Sequence, residues 1–159
     1  MFDITLITMG KLKEPFYLSA AAEYEKRLSR FGKWETIELP DLPEPSNSSP
    51  AIEEQIKKKE GEAILAKLRE GDVVVCLCIE GRQMDSVQLS KKMTEMIDTG
   101  RRVVFIIGGS LGLSDDVVRR AQLKLSFSPM TFPHQLMRVI LLEQIYRGFR
   151  IIANEPYHK

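Results

Sequence analysis

The hydrophobic and polar positions of the chain follow two alternating patterns. Short apolar runs bounded by turn residues predict strands, and apolar residues that recur every three or four positions predict amphipathic helices. Strands are predicted at residues 2–9, 34–39, 72–79, 103–107 and 123–128, with a helix after each. This order predicts an α/β fold, in which a mostly parallel sheet is flanked by helices.

Capping signals mark the predicted starts of the helices. Ser49 followed by Pro50 is typical of an N-cap with proline at the first helical position. Ser86 and Ser114 are predicted to cap the next two helices. The last helix is predicted over residues 134–153 and is followed by a short polar tail.

The last predicted helix is apolar on nearly all sides. A helix of this kind lies either deep in a core or against a second copy of the chain, and Ile140 and Leu141 are expected in the interface if a dimer forms. Its polar stripe faces either solvent or bound RNA. That stripe consists of Glu143, Arg147, Arg150 and Asn154.

Length and charge restrict the class of protein. The chain has 159 residues, which predicts a single domain over residues 1–159. It contains 23 Lys and Arg residues against 22 Asp and Glu, a net charge of +1. A free-standing electrostatic binder of nucleic acid is usually far more basic. Any RNA site is therefore expected to be a local patch, or to be assembled from two chains.

Cysteine and histidine usage points to a reduced, metal-free protein. Cys76 and Cys78 lie two positions apart on a predicted strand and face the same side, so we expect free thiols in a cytoplasmic protein. The two histidines, His134 and His158, are too few to predict a metal site. No apolar stretch reaches the roughly 20 residues of a membrane span, and the N-terminus lacks the basic region of a signal peptide.

Three loops are candidates for a ligand site, because ligands of parallel sheets bind beyond the carboxyl ends of the strands. They follow Ile79, Ile107 and Ser128. The second loop, GGSLGLSDD, either admits a ligand close to its backbone or is only a tight turn. It does not match the G-x-G-x-x-G pattern of dinucleotide binding. The third, SPMTFPHQ, is stiffened by two prolines and either holds a flat heterocycle or only introduces the last helix.

Five motifs spread over the whole chain share one resemblance. They are MGKLKEPF, LCIEGRQMDS, FIIGGSLGL, LSFSPMTFPHQLMRVILLEQIYRGFRI and the terminal YHK. Together they resemble the bacterial 23S rRNA pseudouridine N3-methyltransferase family of the SPOUT, or α/β-knot, superfamily. The resemblance implies a carboxyl-terminal third threaded through a loop as a trefoil knot, which periodicity alone does not predict.

The resemblance also implies a cofactor and its site. S-adenosylmethionine is the expected methyl donor, and backbone groups are expected to read its adenine while apolar side chains cover it. Pro129 removes one N–H from that site, so any donor must come from a neighbour. The residues carried over are Leu77, Gly108, Phe127, Ser128, Pro129, Met130, Thr131 and Phe132.

Methylation of an imide nitrogen requires removal of its proton and stabilisation of charge on the neighbouring carbonyl oxygens. We expect the tail to reach across a homodimer to the partner's cofactor site, and Lys159 to meet a phosphate. The expected substrate is the assembled ribosome, because the net charge is weak. The candidate catalytic residues are His134, Glu143, Arg147, Tyr157 and His158.

Two other classes of function fit the same pattern. A non-catalytic, ribosome-associated RNA-binding dimer would not bind the cofactor. A nucleotide-binding α/β module with a small-molecule substrate would be active without RNA. Stabilisation by S-adenosylmethionine, compared with NAD and ATP, distinguishes the three classes.

Overall fold

The computed structural model describes residues 1–158, and Lys159, the expected phosphate contact, lies outside the described residues. Five strands and five helices alternate along these residues. The strands are β1 (Phe2–Met9), β2 (Gly32–Leu39), β3 (Val73–Gln83), β4 (Val103–Ile107) and β5 (Leu123–Ser126). The helices are α1 (Pro15–Leu28), α2 (Pro50–Leu65), α3 (Ser86–Ile97), α4 (Asp115–Arg120) and α5 (His134–Ile152).

The five strands form one sheet in the order β2-β1-β4-β3-β5, and every neighbouring pair is parallel. The predicted α/β fold is therefore confirmed. A parallel neighbour requires a crossover connection, and helices α1 to α4 supply these connections. All carboxyl ends of the strands consequently lie at one edge of the sheet, which we call the carboxyl edge.

Strand β3 runs farther than its apolar run predicts. Leu77 pairs with Leu125, and after a bulge Arg82 pairs with Leu125 again and Gln83 with Ser126. The prediction ended this strand at residue 79, because the segment after the bulge is polar and exposed. Backbone pairing with β5, rather than burial of side chains, holds this extension in the sheet.

The two faces of the sheet bury alternate residues of each strand. Val103 and Phe105 belong to a core with helices α1, α3 and α5, whereas Val104 and Ile106 belong to a second core with α2 and α4. This alternation follows from the period of two along a strand. Both faces are covered, which explains why β4 is apolar at every position.

Helix caps follow the predictions with one exception. The hydroxyls of Ser49 and Ser114 accept hydrogen bonds from backbone N–H groups at the start of α2 and α4. Ser86 is not the cap of α3, and that prediction was wrong. Asp85 caps this helix, because its carboxylate accepts from the Gln88 N–H at 2.7 Å while the Gln88 side chain accepts from the Asp85 N–H at 2.9 Å.

Helix α5 is buried in the core on one side and accessible on another. Leu141, Leu142 and Ile145 have no exposed surface, so this side of the helix is core within a single chain. Ile140 is half-buried and remains available to a second copy. The expectation that Leu141 lies in an interface is therefore wrong. Among residues 1–158, no helix is long and apolar enough to cross a membrane.

The polar stripe of α5 is partly covered by the tail, whereas Asn154 at its end is exposed, and its contact with RNA stays a prediction. The side chains of Glu143 and Arg147 are only 19% and 25% exposed, because the chain turns back after α5 and lays Tyr157 against them. The turn is made at Asn154, whose φ of 58° lies in the left-handed region that asparagine tolerates well.

Candidate functional site

The loops that follow β3, β4 and β5 meet at the carboxyl edge, because these strands are neighbours and parallel. Leu77 is half-buried at the last paired position before the bulge of β3, and Gly108 directly follows β4. Residues 127–133 connect β5 to α5. The expected cofactor residues are thus gathered at one edge, where open α/β sheets bind their ligands.

The loop after β4 is a tight turn that leaves little space for a side chain at Gly108. A Cβ atom there would lie 2.9 Å from Cδ2 of Leu113 and 3.0 Å from the backbone carbon of Gly112. Gly109 and Gly112 form an isolated bridge, and Ser114 then caps α4. The loop is therefore a tight turn in which Gly108 presents backbone groups alone, and the expectation that it admits a ligand stays a prediction.

The loop after β5 is held by hydroxyl groups. The Ser126 hydroxyl donates to the carbonyl of Ser128 at 3.2 Å, and the Met130 N–H donates to the hydroxyl of Ser128 at 3.0 Å. Phe127 and Phe132 are half-buried, whereas the Met130 side chain is 73% exposed. The loop therefore offers ordered backbone groups and two aromatic rings beside the carboxyl edge.

A cavity of about 500 Å³ opens between this loop, the start of α3 and helix α5. Its volume lies within the roughly 300–1,000 Å³ of small-molecule sites. Sequence reasoning missed several of its walls, because residues such as Ile140 and Gln144 carry no motif of their own. The lining residues are Met84, Asp85, Ser86, Val87, Phe127, Phe132, Ile140, Gln144 and His158.

Four of the five candidate catalytic residues form one cluster beside this cavity. Arg147 donates to Oε1 of Glu143 from Nε at 3.0 Å and from Nη2 at 2.6 Å, and the Tyr157 hydroxyl donates to the same oxygen at 3.3 Å. Nη1 of Arg147 lies 3.4 Å from Nδ1 of His158, which lines the cavity. Glu143 and Arg147 thus form an i,i+4 ion pair on α5, and the tail residues Tyr157 and His158 contact this pair.

Tyr157 and Arg147 in this cluster differ in charge because of their surroundings. Burial, followed by the nearby Glu143 carboxylate, raises the pKa of Tyr157, so this phenol stays neutral and acts as a donor. Hydrogen bonding to Glu143 raises the pKa of Arg147, which keeps its guanidinium charged. A guanidinium only donates, so Nδ1 of His158 is the acceptor in its contact with Arg147.

His134 is not part of this cluster. It starts α5, nine residues before Glu143, which corresponds to about 13 Å along the helix axis. It lines a small crevice with Lys11, Ile107 and Arg138. Burial is the main cause that raises the pKa of the neighbouring Glu60 carboxyl.

The residues present fit a flat heterocyclic cofactor better than a metal ion. Of the expected cofactor residues, Phe127 and Phe132 line the cavity and give it apolar walls, whereas Leu77, Gly108 and residues 128–131 lie at the same edge of the sheet without lining it. Within residues 1–158, no three His, Cys, Asp or Glu side chains are grouped as a metal site requires. Cys76 and Cys78 are free thiols, and burial raises the pKa of Cys76 to about 12, so that thiol is not ionised near neutrality.

A parallel α/β sheet whose loops, cavity and polar cluster lie at the carboxyl edge is typical of enzymes that bind a cofactor. The model of the family described as "Predicted SPOUT methyltransferase" matches residues 2–158. The chain therefore belongs to the SPOUT methyltransferase family, and the resemblance inferred from its motifs is confirmed. Membership implies that the carboxyl-terminal third is knotted.

The chain is also similar to curated relatives over their full length. It is 52% identical over 158 residues to the ribosomal RNA large subunit methyltransferase H of Alkaliphilus oremlandii, and 54% identical over 158 residues to that of Bifidobacterium animalis subsp. lactis. The same name is carried by a Clostridium perfringens relative at 52% identity over 158 residues. In each case the match covers 99% of both chains.

Proposed function

We propose that this chain is an S-adenosylmethionine-dependent methyltransferase that modifies N3 of a pseudouridine in 23S rRNA. The observation that carries the proposal is the similarity, over 99% of both chains, to relatives named as methyltransferases of large-subunit rRNA. The choice of a pseudouridine N3 atom rests on the motif resemblance. The enzyme works as a cytoplasmic homodimer on the assembled ribosome in this proposal.

The cofactor, when bound, supplies the methyl group as an electrophile. In the proposal, Leu77, Gly108 and residues 127–132 bind it at the carboxyl edge. In this proposal, the backbone of Gly108 and of the loop after β5 would form hydrogen bonds with the heterocycle. Phe127 and Phe132 would exclude water from it. These residues would bind and orient the cofactor, which would supply the methyl group, and this pre-organisation would lower the entropic cost of transfer.

In the proposal, the polar cluster formed by α5 and the tail removes the proton and stabilises the developing charge. Glu143 is engaged by Arg147 and Tyr157, so it orients those groups and is a poor proton acceptor. His158 accepts the imide proton in our proposal, after its Nδ1 separates from Arg147. Nη1 of Arg147, freed by this movement while Nε and Nη2 stay on Glu143, then donates to a carbonyl oxygen of the base, where negative charge develops.

Binding and transfer assays test this proposal. S-adenosylmethionine is expected to bind with measurable heat and to be displaced by S-adenosylhomocysteine, while NAD and ATP give no stabilisation. Ribosomes from cells lacking the enzyme are expected to accept methyl groups faster than naked rRNA. Phe132→Ala is expected to weaken cofactor binding, whereas Ile152→Ala, at the exposed end of α5, serves as the control.

Three results would contradict the proposal. Absence of cofactor binding at millimolar concentration would favour the non-catalytic RNA-binding dimer. Methyl transfer to a small molecule without RNA would favour the α/β module with a small-molecule substrate. Equal rates on ribosomes and on short free RNA would remove the requirement for an assembled ribosome.

A further inference from the structure

The segment between β1 and α1 forms a second exposed surface beside the candidate site. Lys11 and Lys13 are exposed, and the Phe16 side chain is 62% exposed, although aromatic rings are usually buried. Leu12, between the two lysines, is only 7% exposed. We call residues 10–16 the β1–α1 platform.

The platform is held rigidly by its backbone. Gly10 has a φ of 80°, and its N–H donates to the carbonyl of Leu39 at 2.6 Å. The Lys13 N–H donates to Oε1 of Gln135 at 3.1 Å, which ties the segment to the first turn of α5. Together with buried Leu12, these contacts hold both lysines on the outer surface before any partner binds.

The platform borders the loops of the candidate site. Lys11 and Leu12 line the same small crevice as Ile107, the last residue of β4, and His134, the first residue of α5. Gly108 directly follows Ile107, and the loop after β5 directly precedes His134. A chain that crossed the platform would therefore pass beside both loops.

The charges of the platform are available to a partner. Among residues 1–158, neither Lys11 nor Lys13 takes part in an ion pair within 4.0 Å. Glu14 is the acidic residue of the segment, and its carbonyl accepts the N–H of Tyr17 at the start of α1. The Phe16 ring lies 4.4 Å from that of Tyr17 at 58°, so one side of the Phe16 ring is supported.

We propose that the β1–α1 platform binds single-stranded RNA next to the target nucleotide. Phe16 stacks on an unpaired base, and Lys11 and Lys13 contact the neighbouring phosphates. Exposed aromatic rings beside lysines are the combination that recognises unpaired nucleotides. The platform is the kind of local patch that a chain with a net charge of +1 requires to bind RNA. This inference rests on the proposed function and specifies how its substrate is held.

The test compares three variants with the wild-type protein. Phe16→Ala and the double variant Lys11→Ala/Lys13→Ala remove the stacking ring and the two charges. Leu18→Ala is the matched control, because Leu18 is another exposed apolar residue of α1, 49% exposed and two positions from Phe16. Affinity for the ribosome, KM and kcat for methyl transfer, S-adenosylmethionine affinity and sedimentation are measured for each.

Loss of stacking in Phe16→Ala is expected to weaken ribosome binding and raise KM by roughly 10-fold. The double lysine variant is expected to reduce the slope of log affinity against log salt by about 1.4 to 1.8. In both, kcat at saturating substrate, cofactor affinity and oligomeric state are expected to match the wild type. Leu18→Ala is expected to change none of these quantities.

Unchanged ribosome affinity and KM in both platform variants would overturn the inference and leave the proposed function intact. A change of oligomeric state in Phe16→Ala, without a change in RNA affinity per dimer, would show that the platform contacts protein and would also overturn it. A wild-type protein that binds ribosomes through Phe16 but transfers no methyl group would support the platform and refute the proposed reaction.

Discussion

At the scale of single residues, Glu143 is the centre of the polar cluster. Its carboxylate accepts two hydrogen bonds from Arg147, one from Tyr157 and one from the Gln144 amide at 2.7 Å. Because both of its oxygens already accept hydrogen bonds, this carboxylate mainly orients the groups around it. Among the clustered candidates, His158 is the proton acceptor in our proposal.

His158→Ala is expected to lower methyl transfer about 100-fold, the effect typical of losing a positioned acid–base group. Cofactor affinity is expected to be unchanged. Single-turnover rates at saturating cofactor provide the measurement. A larger loss in His134→Ala than in His158→Ala would move the catalytic role to the start of α5.

A second residue-level prediction concerns the buried ion pair at the other edge of the sheet. Arg102 donates to both carboxylate oxygens of Asp72, at 3.0 and 2.6 Å, and their side chains are 7% and 3% exposed. Burial raises the pKa of Asp72, but the hydrogen bonds from Arg102 and the Arg69 N–H lower it by more, so the net shift is downward.

Asp72→Asn is expected to lower the free energy of unfolding by about 3 kcal/mol at neutral pH, because it leaves Arg102 buried and unpaired. Because folding lowers the pKa of Asp72, its carboxylate stabilises the protein at pH values above its ordinary pKa. This contribution is lost as the pH falls through the folded-state pKa. The difference between variant and wild type should therefore shrink in acid. Urea titrations at neutral and acidic pH test this, and a difference independent of pH would contradict it.

At the scale of elements, the tail is attached to the body of the protein by Glu155. Oε2 of Glu155 lies 2.5 Å from Nη2 of Arg30, which follows α1, and 2.5 Å from Nε of Arg150 on α5. The Tyr157 ring packs edge-on against Tyr146, with centroids 5.1 Å apart. The tail in this chain therefore lies on its own α5, and the expectation that it reaches the partner's cofactor site stays a prediction.

Glu155→Gln is expected to lower kcat roughly 10-fold, the cost of about 1.4 kcal/mol of lost positioning, while the affinity for S-adenosylmethionine is unchanged. Glu155→Asp should restore part of the rate. The matched control is Glu23→Gln, which removes an exposed i,i+4 pair with Arg27 that contributes little. The measurement is steady-state kinetics with both substrates varied. If Glu155 only maintained the fold, the variant would instead show a raised KM for the cofactor.

At the scale of the whole molecule, the cavity is open on an apolar side. Val87 is 37% exposed, and Val87, Phe132 and Ile140 line the same cavity. Met130, in the adjoining loop, is 73% exposed. Exposed apolar residues grouped around a cavity are typical of a surface that binds another protein. This arrangement supports the proposed homodimer, in which the partner would close the cavity.

Ile140→Asp is expected to give a folded monomer, because it places a charge in the interface while Ile140 is only half-buried in the single chain. Leu141→Asp is the contrasting variant and is expected to unfold the protein, because Leu141 has no exposed surface. Sedimentation and circular dichroism distinguish the two outcomes. A dimeric and fully active Ile140→Asp protein would place the interface elsewhere or exclude a dimer.

The sequence determined most of the fold because its signals are local. The short apolar run of β4, the period of 3.6 in the helices and the cap at Ser49 each depend on residues a few positions apart. These signals predicted all five strands, all five helices and a parallel sheet. The motifs predicted the SPOUT family, and strand ends correctly indicated the edge at which the candidate loops meet.

The tertiary structure alone decided the features that depend on contacts between distant residues. The bulge that returns β3 to β5 requires Arg82 and Leu125 to meet, and neither residue signals this. The covering of the α5 stripe by Tyr157 and the link from Glu155 to Arg30 join residues separated by 14 and 125 positions. Such contacts follow from the path of the whole chain, so no local pattern in the sequence encodes them.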